Sequence, residues 1–124
     1  MTQQEIQERN EKIAIMLGWK TISQLEEINE ENEHLKDCYF LPHTELVFWS
    51  VENLKFHSDW NWLMEAVEFI ESRGYEIDIF ANCVEICTTP DEDYVSEAVG
   101  KTKKEAVFIA VSDFAKLHNE IKAN

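Results

Sequence analysis

Apolar side chains recur at helical spacing in the middle of the chain, between residue types that favour the two ends of a helix. The apolar positions fall on one stripe, made of Trp60, Leu63, Val67 and Ile70. Ser58 precedes this stripe and can accept hydrogen bonds from the amides of the first turn, and Gly74 suits a left-handed C-terminal cap. The pattern therefore predicts a helix over about residues 58–73.

Two further amphipathic segments predict helices near the two ends of the chain. Residues 4–17 carry apolar side chains among polar ones and run into Gly18, after which Trp19 is expected to pack back on the helix. Near the other end, Thr102 followed by Glu105 matches a capping box and predicts a long helix from that point. The stripe expected to be buried on this last helix is Val107, Val111, Phe114, Leu117 and Ile121.

Downstream of Gly74 the spacing of apolar residues changes from helical to alternating. Residues 75–80 and 83–88 alternate apolar and polar side chains, and the two residues between them suit a tight turn. The resulting register brings aliphatic side chains together on one face, which supports a β-hairpin. It also places Asp78 opposite Glu85 on the other face, where two like charges cost up to about 1 kcal/mol.

Shorter β-prone segments elsewhere in the chain predict further strands. These segments are 38–41, 45–50, 54–56 and 94–99. Residues 21–37 leave two interpretations open, an amphipathic helix or a mobile acidic loop. Together the elements predict an α+β fold with a single domain over residues 1–124, in which an antiparallel sheet of about three to five strands packs against long helices.

The distribution of charge is the unusual global feature of the chain. The formal net charge is −14, and residues 21–100 alone contain nineteen acidic residues against three basic ones. Such a segment repels nucleic acid and anionic membranes and attracts basic partners. A plainer interpretation, that the charge only keeps the protein soluble, stays open at this point.

Cysteine usage and hydropathy bear on the compartment. The three cysteines contain no C-x-x-C pair, a pattern that fits a reducing cytoplasm. The chain begins without a basic region followed by an apolar one, and it contains no run of about 18 apolar residues. We therefore expect a cytoplasmic protein with neither a secretory signal nor a membrane span.

Known catalytic and metal-binding patterns are missing from the sequence. It contains no HxxxH or CxxC cluster, no glycine-rich phosphate loop and no G-x-S-x-G elbow. Paired carboxylates such as Asp78 and Glu85 are expected by chance among 25 acidic residues. We therefore predict a protein that is not an enzyme and that uses no metal or other cofactor.

Among the tryptophans, Trp19 and Trp60 are expected in the core, whereas Trp62 is expected either in a second layer or exposed.

Three sequence blocks, taken in their order along the chain, resemble those of a group of known proteins. They are residues 10–20 (NEKIAIMLGWK), 56–64 (FHSDWNWLM) and 103–111 (KKEAVFIAV). In this order they resemble a group of small phage and prophage proteins described as having a phage α/β/α-sandwich domain. The similarity covers most of the chain except about residues 21–50 and 89–99. It implies a phage gene product in the cytoplasm of a bacterial host, with helices packed on an antiparallel sheet. It implies no biochemical activity and no site residue.

The first functional hypothesis is an acidic interaction protein. It would mimic nucleic acid and block a basic, nucleic-acid-binding component of host defence, as an anti-CRISPR does, without itself binding nucleic acid or membrane. The candidate binding residues are Glu26, Glu27, Glu30, Glu31, Glu33, Asp37, Asp78, Glu85, Asp91, Glu92 and Asp93.

Two other hypotheses remain open. A phage sponge could capture a nucleotide immune signal at the start of the last helix, where basic residues gather near an aromatic one. The candidate ligand residues for this hypothesis are Lys101, Lys103, Lys104 and Trp62. The third hypothesis is a virion or replication accessory protein, and homo-oligomerisation is compatible with all three.

Overall fold

A computed structural model describes residues 1–42, 47–88 and 94–123. Within these residues the elements are α1 (Gln3–Met16), β1 (Lys20–Thr21), α2 (Ile22–Leu25), β2 (Cys38–Phe40), β3 (Phe48–Ser50), α3 (Trp60–Ser72), β4 (Tyr75–Phe80), β5 (Cys83–Thr88), β6 (Tyr94–Val99) and α4 (Lys103–Ala123). Short 3₁₀ turns occupy Glu33–Leu35 and Val51–Asn53. The predicted α+β class is confirmed. No helix in these described ranges is long and apolar enough to cross a bilayer.

The strands form two antiparallel sheets of three strands each, in the orders β1-β2-β3 and β4-β5-β6. The predicted hairpin is confirmed in its register, because Ile79 pairs with Val84 and Asp78 pairs with Glu85. Its turn begins with Ala81, whose φ of 53° lies in the left-handed region. The predicted strand at 94–99 is confirmed as β6, which pairs with β5.

Helix α4 lies at the centre of the fold. It contacts α1 and also packs on β5 and β6. Ala110 and Val111 on α4 are fully buried, and the hydroxyl of Ser96 on β6 donates a 2.9 Å hydrogen bond to the Ala110 carbonyl. The backbones of β6 and α4 approach closely where the two elements are joined, since a Cβ atom on Gly100 would lie 2.6 Å from the Ala106 nitrogen.

The last two residues of the predicted α4 stripe are not buried. Leu117 is 42% exposed and Ile121 is 76% exposed, so this part of the prediction is wrong. The covered face of α4 continues instead through His118, whose ring lies 5.6 Å from that of Phe69 and 6.2 Å from that of Phe114. Leu117 precedes His118 by one residue, about 100° around the helix, and so lies beside this face.

Helix α3 begins one residue later than its predicted cap. Asp59, not Ser58, is the N-cap, and its carboxylate accepts hydrogen bonds from the amides of Asn61 (2.8 Å) and Trp62 (3.4 Å). Ser58 lies in the preceding turn, where its own amide donates to the Lys55 carbonyl at 3.1 Å. The C-terminal prediction is confirmed, because Gly74 has a φ of 92°.

The predictions for the two tryptophans of α3 have different outcomes, because Trp60 is exposed whereas Trp62 is partly buried and packs against the core, as in the second-layer alternative. Trp60 is 37% exposed, so the prediction that it packs in the core is wrong. Trp62 instead contacts the rings of Trp19, Trp49 and Phe56, with centroid distances between 5.1 and 5.5 Å. Trp19 itself is buried after Gly18, as predicted. The partners of Trp62 come from outside α3, so helical spacing alone left its second-layer and exposed positions open.

Residues 54–56 do not form the predicted strand. The carbonyl of Lys55 accepts hydrogen bonds from the amides of Ser58 and Asp59 (3.1 and 2.8 Å), which closes a turn. The carbonyl of Leu54 accepts one from the side chain of Asn10 at 3.2 Å. Leu54 is nevertheless buried, so its apolar character reflects the core and not a sheet.

Candidate functional site

The acidic loop, defined here as residues 26–37, joins α2 to β2 and is organised by two asparagines. The Asn29 side-chain oxygen accepts hydrogen bonds from the amides of Glu31 (2.8 Å) and Asn32 (3.1 Å). In return, the Asn32 side-chain oxygen accepts one from the Asn29 amide at 2.8 Å. The Asn32 side-chain amide donates to the Glu26 carboxylate (2.7 Å) and to the Glu27 carbonyl (3.0 Å). Asn32 therefore makes three hydrogen bonds through its side chain.

This local network explains why the loop is not a continuous helix. Asparagine side chains that bond to nearby backbone groups compete with helical hydrogen bonds. Asn32 is only 6% exposed although its neighbours in the loop are exposed. The sequence signal for this arrangement is the Asn29-x-x-Asn32 spacing, which charge counting overlooks.

The carboxylates of the acidic loop point into solvent with few internal partners. Within the described residues, five of them have neither an ion pair nor a side-chain hydrogen bond. These five are Glu27, Glu30, Glu31, Glu33 and Asp37. Glu26 differs, because it is exposed but holds Asn32. The structure thus separates one structural carboxylate from five free ones.

A small apolar cluster supports the loop. Ile22, Cys38 and Phe40 are buried together, and Leu35 from the 3₁₀ turn packs against them. Burial and the nearby Asp37 charge raise the pKa of the Cys38 thiol, so the reactive thiolate form is disfavoured. The cluster therefore anchors the loop through the packing of Leu35.

A second group of carboxylates crosses the β4-β5-β6 sheet. Asp78, Glu85 and Glu97 occupy paired positions on the three strands and define the acidic row. Val84 and Ile86, which flank Glu85 on β5, are fully buried on the opposite face. The acidic row therefore lies on the face of the sheet that points away from the core.

The sequence predicted that Asp78 lies opposite Glu85, but it did not predict that Glu97 lies opposite Glu85 on the other side. The hairpin register follows from a two-residue turn, whereas the β5–β6 register contains an irregularity at Ile86 and Cys87. Such an irregularity changes which residues are opposite one another. The remaining candidates Asp91, Glu92 and Asp93 lie outside the described residues.

The alternative ligand residues are only partly brought together. Lys104 donates from Nζ to the Ser58 carbonyl at 3.0 Å, and this Nζ lies 6.0 Å from the ring centroid of Trp60. Trp62 is instead part of the aromatic cluster described above. A shallow pocket of about 300 Å³ is lined in part by His57, Ser58, Thr102 and Lys104.

The predicted N-cap Thr102 beside this pocket is present, whereas the reciprocal hydrogen bond of Glu105 goes to the residue before the cap. The Glu105 amide donates to the Thr102 hydroxyl at 3.1 Å, while the Glu105 carboxylate accepts from the Lys101 amide at 3.0 Å. The carboxylate thereby already occupies the positive end of α4. Lys101 and Lys103 are exposed. An added anion would have to share the helix start with Glu105.

His57 lines the same pocket as a neutral group. Its Nδ1 lies 2.9 Å from the Asn10 side-chain amide, whose nitrogen also donates to Leu54. Nδ1 must therefore be an acceptor without a proton. Burial, followed by the nearby Lys104 charge, lowers the pKa of His57. The buried Asn10 oxygen has no hydrogen-bond partner among the described residues.

A groove of about 730 Å³ between α1 and α4 carries charges of both signs. At its floor Arg9 donates to Asp113 at 2.7 Å and to the Ser112 hydroxyl at 2.8 Å. Tyr39 donates to the Glu11 carboxylate at 3.0 Å, and burial together with that carboxylate raises the pKa of Tyr39 above its usual range. Arg9 and Asp113 thus pair across the groove, and Tyr39 pairs with Glu11.

Among the described residues, no group of three or more histidine, cysteine, aspartate or glutamate side chains is placed to hold a metal ion. No protein-family model, curated protein or solved structure matches this chain.

Proposed function

We propose that the protein is an acidic interaction protein that blocks a basic, nucleic-acid-binding component of bacterial host defence. In this proposal it is a phage accessory protein that acts in the host cytoplasm without catalysing a reaction. The single observation that carries the proposal is the acidic loop, whose backbone is linked by the Asn29 and Asn32 hydrogen bonds and in which five exposed carboxylates have no partner among the described residues.

Order in the loop matters for affinity as well as for structure. A flexible acidic segment would lose conformational entropy on binding, whereas a segment already held by hydrogen bonds loses less. Carboxylates that are not neutralised within the protein keep their full attraction for a cationic surface. Nucleic acid presents closely spaced negative charges of the same kind. The acidic loop can therefore compete for a surface that normally binds phosphates.

A second candidate function is favoured by one specific observation. Trp60 is exposed and the Lys104 ammonium lies 6.0 Å from its ring centroid, beside the pocket at the start of α4. A nucleotide could stack on the ring and place its phosphates near the lysines. The Glu105 carboxylate at the same helix start opposes this, so the interaction protein is the better-supported proposal.

Inhibition of defence in cells tests the first function. The protein is expressed in bacteria that carry individual nucleic-acid-targeting defence systems, and restored phage growth is counted. In the loop variant, glutamine replaces Glu27, Glu30, Glu31 and Glu33. In the matched control variant, glutamine replaces four other exposed glutamates, Glu52, Glu65, Glu68 and Glu71. Both variants lose four negative charges.

The proposal predicts that the wild type and the control variant inhibit one of the systems, while the loop variant does not. Equal inhibition by both variants would contradict it. Lys103→Glu with Lys104→Glu addresses the second candidate, because charge reversal there should abolish nucleotide capture and leave protein binding intact. Loss of inhibition in that variant alone would favour the nucleotide sponge.

A further inference from the structure

The outer face of the β4-β5-β6 sheet combines the acidic row with exposed apolar side chains. Phe80 and Val99 are 57% and 66% exposed and both align with Cys83 on the central strand. We call Phe80, Cys83 and Val99 the apolar row. It lies two residues along the strands from the acidic row, on the same face. The face therefore presents exposed apolar side chains at one end and carboxylates beside them.

The acidic row is an unfavourable arrangement in the isolated protein. Glu85 lies between Asp78 and Glu97, so it has a like charge directly opposite it on both neighbouring strands. Within the described parts of the chain none of the three carboxylates has an ion-pair or hydrogen-bond partner. Like charges directly opposite each other destabilise a sheet. A partner that supplies cationic groups would relieve this repulsion.

We propose that this face docks a basic amphipathic helix of the protein that the chain inhibits. The inference rests on the proposed function and names the kind of surface that the partner presents. The two rows lie about 7 Å apart along the strands, and each row crosses three strands, about 10 Å. A helix about 10 Å wide that crosses the strands can place one stripe of side chains on each row. Its lysines or arginines would face the acidic row, and its apolar stripe would face Phe80 and Val99.

A second copy of this chain fits the face poorly. A two-fold interface places the same patch on both partners, so the acidic row of one copy would come close to that of the other. The outward Glu76 of β4 is exposed and adds to the repulsion. Charge complementarity therefore selects a basic partner.

The test uses a synthetic helical peptide with a lysine stripe beside a leucine stripe, and its binding is followed by fluorescence anisotropy. A peptide of the same composition in scrambled order is the first control. The row variant replaces the acidic row by Asp78→Asn, Glu85→Gln and Glu97→Gln. The matched protein control replaces three exposed glutamates of α3 by Glu65→Gln, Glu68→Gln and Glu71→Gln. A further protein, the serine variant, carries Phe80→Ser and Val99→Ser.

We expect the wild type to bind the ordered peptide at least roughly tenfold more tightly than the scrambled one. The row variant and the serine variant should each lose roughly tenfold in affinity, whereas the α3 control should stay within about threefold of the wild type. Thermal unfolding of the row variant should occur at or above the wild-type temperature, because repulsion is removed. A loss of binding then reflects the face and not unfolding.

Equal affinity for ordered and scrambled peptides, or undiminished binding by the row variant, would overturn the inference. So would a dimer in sedimentation that Phe80→Ser dissolves, since the face would then belong to a second copy. The loop variant separates this inference from the proposed function. If the row variant binds the peptide normally while the loop variant fails to inhibit in cells, only the sheet-face inference is wrong. If the loop variant inhibits normally, the proposed function itself is wrong.

Discussion

The side chain of Asn32 accepts a hydrogen bond from the Asn29 amide at 2.8 Å, and the side chain of Asn29 accepts one from the Asn32 amide at 3.1 Å. This reciprocal pair turns a charged stretch of sequence into a defined loop. Within the described ranges, Glu26 holds Asn32, and the other carboxylates of the acidic loop have no hydrogen-bond or ion-pair partner. The pair therefore links the fold of the acidic loop to its capacity to bind.

Asn32→Ala tests whether loop order matters independently of loop charge. The substitution removes three side-chain hydrogen bonds around a buried residue and leaves every carboxylate in place. We expect inhibition in cells to weaken and the free energy of unfolding to fall by about 1–3 kcal/mol. Asn53→Ala is the matched control, because Asn53 makes one exposed hydrogen bond to Ser50. Full inhibition by Asn32→Ala would show that charge alone is sufficient.

The different environments of Trp60 and Trp62 predict unequal effects on stability. Trp62→Ala removes three aromatic contacts and should lower the free energy of unfolding by about 2–4 kcal/mol. Trp60→Ala removes an exposed ring and should cost less than about 1 kcal/mol. Chemical denaturation of the two variants measures the difference. Similar losses in both would place Trp60 in the core after all.

The close approach at Gly100 predicts sensitivity to a single methyl group. A Cβ at this position would lie 2.6 Å from the backbone nitrogen of Ala106, which is part of α4 and cannot move freely. Gly100→Ala should therefore destabilise the protein by about 1–3 kcal/mol. Glu68→Ala, on the exposed side of α3, should change stability little. A Gly100→Ala protein as stable as the wild type would mean that β6 and α4 can separate at no cost.

His57 predicts a specific dependence of stability on pH. Burial lowers its pKa in the folded state below the ordinary 6.5, so the unfolded state takes up the proton first as pH falls. The contribution of His57 to the free energy of unfolding is therefore fully present above about pH 6.5 and is lost as pH falls below that value. His118 shifts in the same direction, so the wild type must be compared with His57→Gln to isolate His57. The difference in unfolding free energy between the two proteins should shrink from about pH 7 to pH 5. A constant difference would contradict a neutral His57.

Local sequence was sufficient for the hairpin and for the C-terminal ends of α1 and α3, but it placed the N-cap of α3 one residue too early. Ala81 and Asn82 set the turn, and Gly18 and Gly74 end their helices with positive φ values of 90° and 92°. These features depend on residues close together in the chain. Their physical causes are turn geometry and backbone conformation, which a short segment carries by itself.

Long-range partners determine the features that the sequence did not predict. Trp62 is covered by Trp19 and Trp49, which come from other segments of the chain. Glu97 joins Glu85 only through a β5–β6 register that includes an irregularity. The acidic charge of residues 26–37 was visible in the sequence, but the role of Asn32 as its support depends on burial.

The most direct test of the account is the association rate of an arginine-rich peptide with the loop variant and with its matched control. Both proteins carry four fewer negative charges than the wild type, so only the position of the lost charge differs. If the acidic loop is the binding surface, stopped-flow measurements will show association slowed roughly tenfold in the loop variant and much less in the control, with the difference shrinking as salt increases. Equal slowing in both variants at every salt concentration would show that the total charge, and not the loop, attracts the partner.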